Sequence, residues 1–512
     1  MAAMRWAGRL IAALAISGVA LCQSASAQPP TQAEAPYSAA PVWSSCANFI
    51  TDVSRLPTAQ CGTVAVPVNY AGYADNPKPQ DVQAHLAIIK VPATGPRIGV
   101  LVVNPGGPGE SAVDTVAGMG AALADTELLE RFDLVGIDPR GVGHSTPQLR
   151  CRTDAQFDAY RAEPMADYSP AGVAHIEALH RRFAAQCLDR MGADFLANVG
   201  TAAAAQDMDV VRAALGEEQI NYLGFSYGTR LGAAYAQRYP DRVRAMVLDG
   251  AVDPSLDPVT ASLNQLAGFQ GTFDKYATDC AESTGCPLGT DPAQFVDRYH
   301  QLVDPLVHQP AAASDPRGLG YQDAITGTGR ALYSPRYWAY LTSGLLGLQR
   351  GTDPVDLLLL ADDYQQRDSD GHYENRQDAF TAIRCVDAVF PTDPAVWAAA
   401  DRRARQLAPF LSYGAFTGYA PPDICAMWPV PPTSVVGRAT SPGPGKVVVV
   451  STTGDPATPY QAGVELARQM DASLITFDGT QHTAVFNGDA CVDTAIVEFL
   501  VDSVVPPAGL RC

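Results

Sequence analysis

The segment Gly224-Phe225-Ser226-Tyr227-Gly228 places a serine between two glycines, after the apolar run 220–223 and before a helical pattern over 229–239. Strand, tight turn and helix in that order form a nucleophile elbow: the glycines permit the turn, and the serine hydroxyl is left exposed at the end of the strand. A serine hydroxyl is a poor nucleophile near neutral pH and needs a base within hydrogen-bond reach. Downstream of Ser226 stand His300, His308, His372 and His482. Only His482 sits in a loop directly after a strand-like run (472–477), where a base held by a sheet belongs. The acid that orients such a base should follow the preceding strand, and Asp455 does so, in Gly454-Asp455-Pro456-Ala457-Thr458-Pro459 after the run 446–452. Those neighbours also suit an ordinary turn. Asp249, after the run 244–249, and Asp478 are the alternative acids. The chemistry expected of Ser226, His482 and Asp455 is acyl transfer through a covalent intermediate.

A second loop supplies what that reaction requires. Asn104-Pro105-Gly106-Gly107-Pro108-Gly109 follows the apolar run 98–103, and its nearly bare backbone can bring an amide to a tetrahedral oxyanion. One donor from this loop and one from the residue after the nucleophile are needed, which assigns Gly107 and Tyr227. The stretch Asp138-Pro139-Arg140-Gly141-Val142-Gly143-His144-Ser145 reads as a bonded loop supporting that strand. No phosphate-binding G-x-x-x-x-G-K-[ST] occurs. A serine at the elbow, rather than a carboxylate, argues against haloalkane and epoxide hydrolysis.

The elements that must hold these loops alternate short apolar runs (82–91, 98–104, 132–138, 220–224, 244–249) with helical stretches such as 202–215 and 229–239. Such alternation predicts a largely parallel sheet covered on both faces, and with the nucleophile elbow at Ser226 the expected fold is an α/β-hydrolase. The pattern lapses after Pro254 and resumes at 446–452 and 472–477. Between them lie helical, Pro-broken stretches including 333–348 and 355–365. The expected organisation is a signal peptide (1–27), a flexible leader (28–45) and a core in two parts (46–254 and 441–512), separated by a helical lid (255–440).

Arg5 and Arg9, the apolar run 10–21 and Ala25-Ser26-Ala27 make the pattern of a secretory signal peptide cleaved after Ala27. Leu21 ahead of Cys22 is too large for lipoprotein processing, so soluble export, to the periplasm or beyond the cell, is expected. Ten cysteines follow the cleavage point, an even number that reads as disulfides in an exported protein. They allow about 945 pairings. Pairing neighbours would join 46–61, 151–187, 280–286, 385–425 and 491–512. Nothing has the spacing of a zinc site, and neither metal nor cofactor is expected. A net charge of −19 repels nucleic acid and anionic lipid, and no stable membrane insertion is expected. Oligomeric state is not legible.

Together, the 104–109, 138–143 and 224–229 motifs resemble those of the secreted tripeptidyl aminopeptidases of actinobacteria, relatives of the prolyl aminopeptidases. So do Ala382-Ile383-Arg384-Cys385-Val386-Asp387, Cys425-x-x-Trp428-Pro429, Asp455-Pro456-Ala457-Thr458-Pro459 and the tail from His482 to Cys512. The resemblance implies a lid over the site and removal of short peptides from free N-termini. It puts Ser226, Asp455 and His482 on the family's triad, and Gly107 and Tyr227 on its oxyanion hole. Asp387 is, by family position, a candidate anchor for a substrate amine. The sequence departs from the family after Gly109, where Glu110, Ser111 and Ala112 replace a small residue, Ser and Gly. Glu110 is either a binder of the substrate ammonium or a solvated side chain. Two substrate classes stay open: peptides, releasing tri- or dipeptides, and carboxylic esters handled by the same triad.

Overall fold

The computed structural model describes residues 40–512 apart from 51–52, 72–82 and 436, so the expected signal peptide and most of the leader lie outside the described residues. Nine strands form one sheet: β1 (Val42–Ser44), β2 (Gln60–Pro67), β3 (Gln83–Val91), β4 (Gly99–Asn104), β5 (Phe132–Ile137), β6 (Ile220–Phe225), β7 (Val243–Asp249), β8 (Val447–Thr452) and β9 (Ser473–Phe477). Their order is β1-β2-β3-β5-β4-β6-β7-β8-β9. The first four in that order pair antiparallel, and every pairing from β5–β4 onward is parallel.

Strands β4, β5 and β8 are buried at every position, which is why each reads as an unbroken apolar run. Alternate residues serve opposite faces. Val100 and Val102 join one cluster with Val135, Tyr222 and Leu231, whereas Leu101 and Val103 join the other with Leu223, Val247 and Phe499. Two apolar layers thus clamp the sheet, as expected for this class.

Two early strands were not anticipated. The edge strand β1 lies in the stretch expected to be leader. It pairs with β2 and is tied there by the Cys46–Cys61 disulfide. All five disulfides join sequence neighbours: 46–61, 151–187, 280–286, 385–425 and 491–512.

Between β7 and β8 the chain builds its own helical unit around Phe273, Tyr276, Tyr299, Leu345 and Phe410. Phe273 and Phe410 stack at 4.4 Å, and Tyr299 meets both edge-on. This unit fills the stretch expected to be the lid. Its first helix, Pro258–Ala281, leans on the loops after β8 and β9. Gln265 donates to the Ala457 carbonyl and Lys275 to the Thr480 hydroxyl. Among the described residues no helix is long and apolar enough to cross a membrane.

Candidate active site

Four parallel strands that are near neighbours end at one place. Residue 107 follows β4, Ser226 follows β6, Asp455 follows β8 and His482 follows β9. β4 lies between β5 and β6, so the chain leaves β4 in one direction and returns on the other side. Crevices at such switch points are where open α/β sheets bind ligands.

Ser226 has φ 55° and ψ −123°, a left-handed conformation that non-glycine residues rarely adopt, at the junction between β6 and the helix Tyr227–Arg238. The surroundings enforce it. The Ser226 amide donates to the Asp249 carbonyl at 2.9 Å, and the Ser226 carbonyl accepts from Thr229. A Cβ at Gly228 would stand 2.6 Å from the Asn104 carbonyl oxygen, so only glycine lets the elbow helix approach β4. The 104–109 loop presses on the elbow in the same way. A Cβ at Gly106 would fall 2.4 Å from the Phe225 carbonyl oxygen and 3.0 Å from the Tyr227 amide. Tyr227 opens its helix, so its amide has no acceptor within that helix. The Tyr227 ring is turned away into the core, with its hydroxyl against Thr201.

The acid and base meet as a bonded pair. Both carboxylate oxygens of Asp455 lie 3.0 Å from His482 Nδ1. Asp455 is buried. Its Oδ1 also accepts from the Ala457 and Thr458 amides at 2.9 Å, and its Oδ2 accepts from the Thr458 hydroxyl at 2.9 Å. The turn suggested by its neighbours and the orienting contact therefore coexist in one residue. Burial alone would push the His482 ring below its ordinary pKa. The charge and hydrogen bond of Asp455, helped by the charge of Asp249, reverse this and raise it.

Two residues near the base escaped the sequence reading. Thr458 Oγ1 lies 3.3 Å from His482 Nδ1 besides bonding Asp455. Its place three residues after the acid was visible, but nothing local distinguished it from a turn residue. Tyr333 comes from the lid. Its carbonyl accepts the His482 amide at 2.9 Å, and its ring meets the imidazole edge-on at 5.4 Å. A contact spanning that much chain leaves no local signal.

Gly107, Ser226, Tyr227 and Thr458 line one cavity of about 420 Å³ together with Gln265, Phe380, Arg384 and Asp387 from the lid. Asp387 is buried and already engaged. It accepts from the Thr201 amide at 2.8 Å and from the Thr201 hydroxyl, with Arg230 Nε at 3.8 Å. Burial raises its pKa despite Arg230. Glu110 stands apart from this cavity. It forms an ion pair with Arg376 at 2.8 Å and accepts from Gln366, so its carboxylate braces the lid helix Arg376–Asp387. Asp478 is likewise elsewhere, paired with Arg511 near the C-terminus. His300 bonds Asp304 and the Pro409 carbonyl, and His372 bonds Asp154. Asp138 is buried and receives Ser111 Oγ and the Val113 and His144 amides, tying the β5 loop to the segment after the 104–109 loop.

Residues 99–489 match the α/β hydrolase fold family, a stretch that holds every element of this site. This chain belongs to that family. The hydrolase is 62% identical over 470 residues to Carboxylesterase B of Mycobacterium tuberculosis, covering 92% of this chain and 89% of that protein. It is 53% identical to the same organism's Serine protease Hip1, over 92% and 90% of the two chains. It is 32% identical to the Tripeptidyl aminopeptidase of Streptomyces lividans, over 92% and 86%. The resemblance read from the motifs therefore extends over nearly the whole chain, and the protein is a serine hydrolase.

Proposed function

We propose that this hydrolase is an exported exopeptidase that removes di- or tripeptides from free N-termini, with Ser226, His482 and Asp455 as its triad. Ser226 Oγ attacks the scissile carbonyl and passes its proton to His482 Nε2. The amides of Gly107 and Tyr227 receive the oxyanion, each donor contributing about 10²- to 10³-fold in rate. His482 then protonates the leaving amine, and water hydrolyses the acyl-enzyme with the same base. Asp455 holds the imidazole in the tautomer that keeps Nε2 free to accept.

The observation that carries the peptide reading is the chamber itself. At about 420 Å³, lined by the loops after the strands and by lid residues, it has room for a short acyl segment. Relatives named as a serine protease and a tripeptidyl aminopeptidase support it. Export is supported by five disulfides, which persist in oxidising compartments.

A second reading, a carboxylesterase with the same triad, is favoured by one feature. Asp387, the lid carboxylate offered by the chamber, is already held by Thr201 and faces Arg230, which weakens it as an anchor for an ammonium group. The relative named Carboxylesterase B points the same way. Incubation with a free tripeptide-capped substrate, its N-acetylated copy and a chromogenic short-chain ester, with Ser226→Ala as blank, separates the two. Turnover of the free peptide alone supports the exopeptidase. Turnover of the ester alone replaces it with the carboxylesterase.

A further inference from the structure

Asp249 ends β7, one strand over from the elbow, and is fully buried. Its carbonyl and one carboxylate oxygen are divided between the two halves of the candidate site. The backbone carbonyl accepts the Ser226 amide at 2.9 Å. Side-chain Oδ2 accepts the Ala484 and Val485 amides, both at 2.8 Å, two and three residues past His482. Oδ1 is buried with no hydrogen-bond partner. The next residue leaves the base its room: a Cβ at Gly250 would stand 3.1 Å from His482 Cε1. An amide side chain would accept the same two backbone amides without the cost of burying a carboxylate, so a carboxylate with an unpaired oxygen calls for an explanation.

We infer that Asp249 is a positioning residue for the base: its carboxylate clamps the loop that follows His482 and sets a second negative charge beside the imidazole, while its carbonyl fixes the nucleophile's backbone. The base is then steered twice, by Asp455 on the ring and by Asp249 on the loop. This rests on the assignment of His482 as base. The ionisable groups facing Asp249 are His482 and Asp455, and those facing His482 are Asp455 and Asp249. Burial lifts Asp249 to about 7 against the pull of the two amides and of His482, and Asp455 pushes in the same direction as burial. Near neutral pH Asp249 therefore exchanges between carboxyl and carboxylate, and its charge beside the imidazole builds up as pH rises through about 7.

Two variants separate clamp from charge. In Asp249→Asn the amide oxygen still accepts from Ala484 and Val485, so the loop is held while the charge is lost. The acid limb of kcat/KM for a chromogenic ester should move to lower pH by about half a unit to one unit, because a neighbouring anion no longer favours the imidazolium. In Asp249→Ala the clamp goes as well, and kcat should fall about 10²-fold with KM little changed, the cost of a misplaced catalytic group. An acid limb in Asp249→Asn that coincides with wild type overturns the proposal, and this holds even where the alanine variant fails to fold. Full kcat in a folded Asp249→Ala overturns it too. Ser226→Ala is run in parallel: if it is inert while Asp249→Asn matches wild type, only this inference fails. Activity surviving Ser226→Ala would remove the site assignment and the inference with it.

Discussion

Replacing Asp455 by asparagine tests the orienting role with almost no change in shape. Oδ1 of Asp455 already accepts two backbone amides, from Ala457 and Thr458, at 2.9 Å each. An asparagine must therefore put its carbonyl oxygen there, because its NH₂ group would set donors against donors. The NH₂ then takes the place of Oδ2, facing the Thr458 hydroxyl and, at about 3.0 Å, His482 Nδ1. With a donor opposite it at that position, and only the Oδ1 oxygen, already shared by two amides, left to accept at 3.0 Å, Nδ1 favours giving up its hydrogen. The imidazole shifts to the tautomer protonated on Nε2 and can no longer take the serine proton. The same substitution in a triad of this type costs about 10⁴ in kcat. At about 1.4 kcal/mol per tenfold, that is about 5.5 kcal/mol of transition-state stabilisation. The substrate cavity keeps its walls, so KM should hold. Steady-state kinetics on a chromogenic ester, with circular dichroism as a check of folding, measure it. A folded Asp455→Asn variant within about tenfold of wild-type kcat would refute the reasoning and return the role to another carboxylate.

Three further outcomes follow from the same geometry. Ser226→Ala should lose about 10⁶ in rate and all labelling by a fluorophosphonate probe, and a labelled variant would place the nucleophile elsewhere. The raised pKa of His482 fixes the sign of the pH dependence. The base works neutral, so kcat/KM should fall as pH drops through an inflection above the ordinary histidine value of about 6.5, and an inflection below it contradicts the pairing with Asp455. The Cys385–Cys425 bridge closes a separation of 40 residues and anchors the lid helix that carries Arg384 and Asp387. Removing it by a double serine substitution should cost about 4 kcal/mol in urea unfolding, and a loss below about 1 kcal/mol would mean that the open chain is already restrained there.

The sequence revealed most where burial left the chain no freedom. β4, β5 and β8 lie inside the sheet with both faces covered, so their apolar runs marked them to within a residue or so. The order serine, acid, histidine needed only β6, β8 and β9, because each group sits in the loop directly after one of them. β1 was missed for the opposite reason. β1 has three residues, all exposed, and is held by pairing and by a disulfide rather than by an apolar face. Residues whose role depends on distant chain were illegible. Glu110 looked free in sequence because its partner Arg376 is supplied by the lid. Tyr333 carried no sign that its carbonyl would hold the His482 amide. Asp387 could be placed near the site by family position, yet its engagement by Thr201 and Arg230 could not be foreseen.

Those lid contacts bear on how the enzyme must work. The base loop is gripped from two sides, by Asp249 in the sheet and by the Tyr333 carbonyl in the lid, and the acid loop accepts Gln265 from the lid's first helix. A lid that swung away as a rigid body would pull on His482 and Asp455 together, breaking hydrogen bonds that set the tautomer and aim of the imidazole. Substrate entry by wholesale opening therefore carries an energetic cost beyond exposing the chamber, since the proposed triad loses its order in the same step. Entry that leaves Tyr333 and Gln265 in place and displaces the opposite wall, around Phe380 and Phe390, carries no such cost. A cysteine pair bridging the first lid helix to the acid loop should then leave kcat and KM near wild type, whereas one bridging the 380–390 segment to the 251–256 loop should abolish turnover until reduced. Loss of activity on locking the Gln265 side would show instead that the whole lid moves and that the triad is assembled only on closure.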